Sequence, residues 1–171
     1  GVLLRERGIT MPVVVLNADA DSFDQMIANR LEPEIYSFRS LADFADAVSH
    51  AGETRYPVHI KLDTGMHRLG FMEGEIGRLC EVLPTLPAVK VASVFSHLNC
   101  ADMPEEDAYT REQIACYDRM SAAVAASLPY SVIRHTANSA AIERFPEARF
   151  DMCRLGLGLY GFGWEHNAGL R

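Results

Sequence analysis

Lys61 and Lys90 are the only lysines among the 171 residues of the chain, and the first stands where an ammonium is costly. Lys61 lies between Ile60 and Leu62 in the apolar run Val58–Leu62 (VHIKL). A lysine there must be paired, shifted in pKa or modified, or else reach solvent at the end of a strand. Behind it come the turn-like Asp63-Thr64-Gly65 and then Arg68 and Gly70. Three more strings put polar groups directly behind apolar runs. SVFSHLN places His97 at a strand end, where a histidine serves either structure or chemistry. HTANSAA offers Asn138 and Ser139 ahead of a short helix. Backbone N–H groups and a hydroxyl in that setting suit a phosphate, or simply cap the helix. RLGLGLYG opens on Arg154, which calls for an anion or an acceptor. Its Gly156 and Gly158 permit close approach of backbone to a ligand, or tight packing of a helix on a strand.

These residues need elements to hold them. Short, Val/Ile-rich runs recur at Pro12–Leu16, Glu34–Ser37, Val58–Leu62, Val89–Phe95, Ser131–His135 and Cys153–Tyr160. Runs so little broken by polar residues read as strands buried on both faces. Helix signals lie between them. Leu3–Arg7 stops at Gly8. Ser22–Asn29 and Ser40–His50 each start at a serine suited to an N-cap. Glu73–Leu83 stops at Pro84. A long helix runs from Pro104 to about Ser127, and a short one covers Ser139–Arg144. Strict alternation predicts a parallel sheet with right-handed crossovers, either doubly wound or part of a (β/α)8 barrel. No GxGxxG follows the first strand, which weighs against a dinucleotide fold. In a barrel the chemistry gathers at the C-terminal strand ends, where Asn17, Asp63–Arg68, His97, Asn99, His135 and Asn138 fall.

Composition narrows the partners. Sixteen basic and 23 acidic side chains give a net charge of -7, which disfavours nucleic acid and anionic membrane. No apolar run approaches the ~20 residues of a membrane span, and neither a signal nor a transit peptide is evident. Cys80, Cys100, Cys116 and Cys153 form no CxxC pair. They read as reduced, mostly buried thiols of a cytoplasmic protein, with no metal site.

Together the strings MPVVVL, LEPEIYSF, HIKLDTGMHRLGF, FSHLN, HTANSAA and DMCRLGLGLYG resemble the N-terminal barrel domain of alanine racemases, fold-type III pyridoxal-phosphate enzymes, nearly end to end. HIKLDTGMHRLGF and ERFPEARFDMCRLGLGLYG are similar to racemase domains fused behind a peptidoglycan-precursor ligase. The resemblance implies interconversion of L- and D-alanine for peptidoglycan, with alanine as substrate, in a homo-oligomer. It makes Lys61 the family's structural lysine, often carbamylated, so that an anion there orients Arg68. Arg68 would bond the cofactor's 3-oxygen. His97 would lie beside the pyridine ring and support Arg154. Arg154 would face the ring nitrogen and, being permanently charged, keep it unprotonated. Ser139 with the backbone of Gly156 and Leu157 would hold the phosphate, with Asn138 beside it.

The sequence departs from the family at several points. Leu155 stands where many members have Pro, and His67 where many have Gly. The string that carries the Schiff-base lysine, of the type VKANAYGHG, is absent, and Lys90 opens its strand at the wrong end. The C-terminal β-domain that brings the tyrosine base is absent too, and none of the six tyrosines lies in a matching motif. The expectation is therefore an incomplete barrel of about six strands, corresponding to strands three to eight. Such a chain would not racemise alanine by itself and would bind pyridoxal phosphate weakly, without a covalent link. Its open sheet edges would favour self-association. The competing readings are an amino-acid decarboxylase of the same fold type, a non-catalytic pyridoxal-phosphate-binding protein, and a structural fragment of a longer enzyme. Decarboxylases usually place a glutamate where Arg154 stands, which favours the racemase.

Overall fold

A computed structural model describes residues 1–162. Five strands form one parallel sheet in the order β1-β2-β3-β4-β5. They are β1 (Val14–Val15), β2 (Glu32–Ile35), β3 (Tyr56–Lys61), β4 (Val89–Phe95) and β5 (Ile133–His135). Each strand pairs with the next in sequence and the winding never reverses. That decides between the two parallel architectures: a doubly wound sheet must reverse, whereas a barrel wall does not.

Helices α1 (Val2–Glu6), α2 (Phe23–Ala28), α3 (Phe38–His50), α4 (Ile76–Val82), α5 (Asp107–Ala126) and α6 (Ser139–Arg144) alternate with the strands. In α3 the buried Leu41, Phe44, Ala45 and Val48 recur at helical spacing. Phe44 meets Phe23 and Tyr56 edge-on, at 5.0 and 5.5 Å between ring centres. Val58, Ile60, Leu62 and Val94 join the same apolar core as Tyr117, Met120 and Val124 of α5. A smaller cluster of Leu98, Ile114, Ala137, Ala141, Phe145 and Ala148 underlies α6.

Four expectations are corrected. The run Cys153–Tyr160 forms no strand. It is irregular up to Gly156 and then makes a 3-10 turn, Leu157–Tyr160. Leu155, Leu157 and Leu159 are exposed, so their alternation does not mark a buried strand, and turn bonds Leu159 N–H to Gly156 O and Gly161 N–H to Gly158 O bend the chain. Ser37, not Ser40, caps α3. Ser40 sits three residues in and completes a reciprocal capping box with it. Ser22 makes no side-chain cap and its hydroxyl donates back to Asp19 O instead. The four cysteines are free and half-buried rather than mostly buried. Among the described residues no helix is long and apolar enough to cross a membrane.

Candidate active site

A cavity of about 1010 Å³ opens at the C-terminal end of the sheet, and Lys61, Arg68, His97, Asn138, Ser139, Arg154, Gly156 and Leu157 all line it. Five separate stretches of chain thus converge on one volume. Strand register explains part of this. Lys61 pairs with Phe95 across β3 and β4, and Phe95 with His135 across β4 and β5. All three point to the side away from the helices, one level of side chains at the strand ends.

Lys61 is 7% exposed. Its ammonium lies 4.8 Å from the centre of the Phe95 ring, and among the described residues it has no ion-pair partner within 4.0 Å. Burial first, then the charges of Arg154 and Arg68, push its pKa down to about 8, against the opposing pull of Glu34. Glu34 is itself 5% exposed and its carboxylate accepts the Asn17 N–H at 2.7 Å.

Arg68 stands exposed on the loop between Leu62 and Phe71. The loop is closed at its base by Asp63 N–H to Phe71 O and Phe71 N–H to Lys61 O, both 2.9 Å. The Asp63 carboxylate accepts the N–H groups of Gly65 and His67, so the Asp-Thr-Gly string shapes a turn. At Gly70 a Cβ would come within 2.5 Å of Asp63 N, so only glycine closes this loop. His67 adopts φ +53°, the left-handed region in which glycine rests without strain.

Arg154 is the most heavily bonded group. Nη2 donates to Ser96 O at 2.6 Å and Thr136 O at 3.3 Å, and Nη1 donates to His135 Nδ1 at 2.7 Å. Its guanidinium lies over Phe95, 5.3 Å from the ring centre, and His135 stacks parallel to the same ring. Nε–H has no partner among the described residues. His97 Nδ1 lies 3.4 Å from Nη2, so the expected support from His97 is outranked by that from His135. Burial and then Arg154 lower the pKa of His97 to about 4 and of His135 to about 3. Both rings are neutral at pH 7.

Ser139 opens α6, and Asn138 caps it: Asn138 Oδ1 accepts the Ala141 N–H, and its amide donates to Leu98 O. The Ser139 hydroxyl accepts from Gly156 N–H at 2.9 Å and Gly158 N–H at 3.1 Å. With both lone pairs occupied, its own proton is left to donate.

Glu34, Phe95 and Ser96 are not singled out as site residues by the sequence, and His135 is named there only as a strand-end residue, with no role. The strand runs contained all but Ser96, and the period-2 alternation of β3 and β4 was the signal that puts Phe95 beside Lys61.

The alanine racemase N-terminal domain family matches residues 1–163. The chain belongs to this family. An alanine racemase of Symbiobacterium thermophilum is 36% identical over 165 residues, covering 94% of this chain and 42% of that protein. One from Desulfovibrio desulfuricans is 37% identical, covering 92% and 42%. The solved alanine racemase of Clostridium difficile 630 in complex with cycloserine superposes with TM-score 0.87 at 30% identity, covering 97% of this chain and 46% of that one. The Bartonella henselae alanine racemase with covalently bound pyridoxal phosphate superposes at 0.81 with 23% identity, covering 99% and 46%, which speaks for the fold. The chain therefore spans less than half the length of these alanine racemases.

Proposed function

We propose that this chain is the part of a pyridoxal-phosphate-dependent alanine racemase that holds the cofactor, with alanine as substrate and a homo-oligomer as the working form. The observation that carries the reading is Arg154: a donor-only group immobilised by Ser96, Thr136 and His135, lying over Phe95, with Nε–H uncommitted. The donor set fits the group. Ser139 has a proton to give, Arg68 and Arg154 offer guanidinium donors, and Phe95 and Leu157 supply apolar walls. A flat, anionic heterocycle matches that lining.

Pyridoxal phosphate, when bound, supplies the electron sink that makes an amino acid's α-proton labile. The protein's own groups set how that sink behaves. Arg154 would face the ring nitrogen as a donor that does not surrender its proton and would keep that nitrogen unprotonated. Ser139 and the Leu157 backbone would hold the phosphate, the Gly156 N–H being already given to the Ser139 oxygen. Arg68 would bond the 3-oxygen. Lys61, amine or carbamate, sets the field around Arg68. Racemisation also needs a base on each face of the substrate, and neither Lys61 nor Lys90 stands where the family's Schiff-base lysine would. The 171-residue chain is therefore expected to bind the cofactor without racemising alanine.

The test is a pyridoxal-phosphate titration followed by borohydride reduction and intact-mass measurement. Saturable binding with no mass gain is expected. Absence of binding overturns the cofactor reading, and a reduced adduct on Lys61 overturns the role given to that lysine.

A further inference from the structure

A line of hydrogen bonds crosses the sheet on the face turned away from the helices. Glu32 Oε2 lies 2.7 Å from His59 Nε2. His59 Nδ1 is 2.6 Å from Ser93 Oγ, and Ser93 Oγ is 3.0 Å from His135 Nε2. His135 Nδ1 is 2.7 Å from Arg154 Nη1. One residue comes from each of β2, β3, β4 and β5 in spatial order, and His59 and Ser93 are directly in register. Barrel interiors are usually filled by branched apolar side chains. Here His59, Ser93 and His135 are 8%, 1% and 4% exposed, and polar groups so deep are costly unless every proton finds an acceptor.

The chemistry at the two ends dictates the direction of every link. Arg154 can only donate, so His135 Nδ1 must accept. A neutral His135 then carries its proton on Nε2 and donates it to Ser93. Ser93, already accepting, gives its own proton to His59 Nδ1. His59 in turn carries its proton on Nε2 and donates to the Glu32 carboxylate. Turning His59 over would make Ser93 accept twice and strand the hydroxyl proton in a buried site.

We infer that Glu32, His59 and Ser93 are positioning residues: a one-way relay that fixes the tautomers of His59 and His135 and, through His135, the orientation of the Arg154 guanidinium. Its purpose rests on the proposed cofactor reading, because that reading says what Arg154 faces. The relay itself does not. Glu32 also lines a small pocket at the opposite end of the sheet, with Arg5, Arg30 and Tyr56, so the line joins the two ends of the sheet.

The test is nitrogen NMR on the full chain with 15N-labelled histidine at pH 7. His59 and His135 are both expected as Nε2–H tautomers, and His59 protonated at Nδ1, alone or with Nε2, overturns the relay. In Ser93→Ala the His59 pattern changes while the exposed His50 and His67 stay as they were, and Ser93→Thr restores it. An unchanged His59 in Ser93→Ala overturns the proposal. Should that variant fail to fold, the wild-type spectrum alone decides. In a parallel titration, Ser93→Ala weakens pyridoxal-phosphate binding about tenfold and Ser93→Thr does not, the scale of one buried hydrogen bond. Wild-type chain with the expected tautomers but no cofactor binding sinks the cofactor reading and supports the relay.

Discussion

The two ends of the sheet both carry a buried or half-buried arginine, yet they use it in opposite ways. At the N-terminal end Arg5 bonds the carbonyls of Asn29, Ile9, Met11 and Arg30, and the Tyr56 hydroxyl bonds those of Met26 and Leu31. Every one of those bonds ties one stretch of chain to another, and the space left is about 270 Å³. At the C-terminal end Arg154 is tied down as firmly but keeps a donor in reserve, Ser139 keeps a proton, and Lys61 has no ion-pair partner among the described residues. The cavity there is about 1010 Å³. One end holds the fold closed, and the other leaves polar groups uncommitted around a larger cavity.

The sharpest way to break the contrast is to remove each arginine. Arg154→Leu is expected to weaken pyridoxal-phosphate binding a hundredfold or more, because a charged, fixed donor is lost from a largely buried site. Arg5→Ala should leave binding per folded molecule unchanged while lowering unfolding free energy by about 2 kcal/mol, the net worth of its hydrogen bonds. Urea titration and cofactor titration of both variants check this. Equal effects on binding would erase the division of labour.

Next in size is a pH effect. His97 and His135 are held neutral down to about 4 and about 3, whereas unfolded histidine takes a proton below about 6.5. Unfolding near pH 5 therefore takes up almost two protons. Stability is intact above pH 6.5 and falls as pH drops toward 4, by about 2 kcal/mol per pH unit. Urea midpoints from pH 7 to 4.5 measure it, and His135→Gln should halve the slope. A slope that ignores this substitution would remove His135 from the account.

Gly70→Ala tests the loop that carries Arg68. The added methyl meets backbone, so the loop must open, at a cost of about 1–3 kcal/mol. Cofactor affinity should fall more than that of a variant destabilised equally by Tyr56→Phe. The smallest effect concerns the edges. Val14, Leu16, Leu157 and Leu159 are exposed, and light scattering is expected to report self-association that Leu157→Ser with Leu159→Ser reduces. A single monomeric species would count against it.

Alternation of short apolar runs with helix signals made the parallel α/β architecture readable, and five of the six expected strands are present. The sixth was misread because Leu155, Leu157 and Leu159 alternate as a strand would. Alternation reports a pattern, not a buried face, and Gly156 and Gly158 allow the chain to turn instead. The helix caps show a finer limit. A serine near a helix start is recognisable, but whether Ser37 or Ser40 sits at the boundary depends on backbone angles that the residue types leave open.

The sequence alone determined the set of chemical groups: a lysine inside a strand, an arginine after an Asp-Thr-Gly turn, a serine opening a helix and an arginine ahead of two glycines. These are local facts, carried by residue type and spacing, and they were enough to predict a site at the C-terminal strand ends. Only the tertiary structure decided who holds whom. Arg154 finds His135, Ser96 and Thr136, and Lys61 and Arg154 share the Phe95 ring, because the folded sheet and the segment behind β5 bring together residues 18 to 59 positions apart. Such pairings belong to the sheet as a whole, and no stretch of the chain encodes them locally.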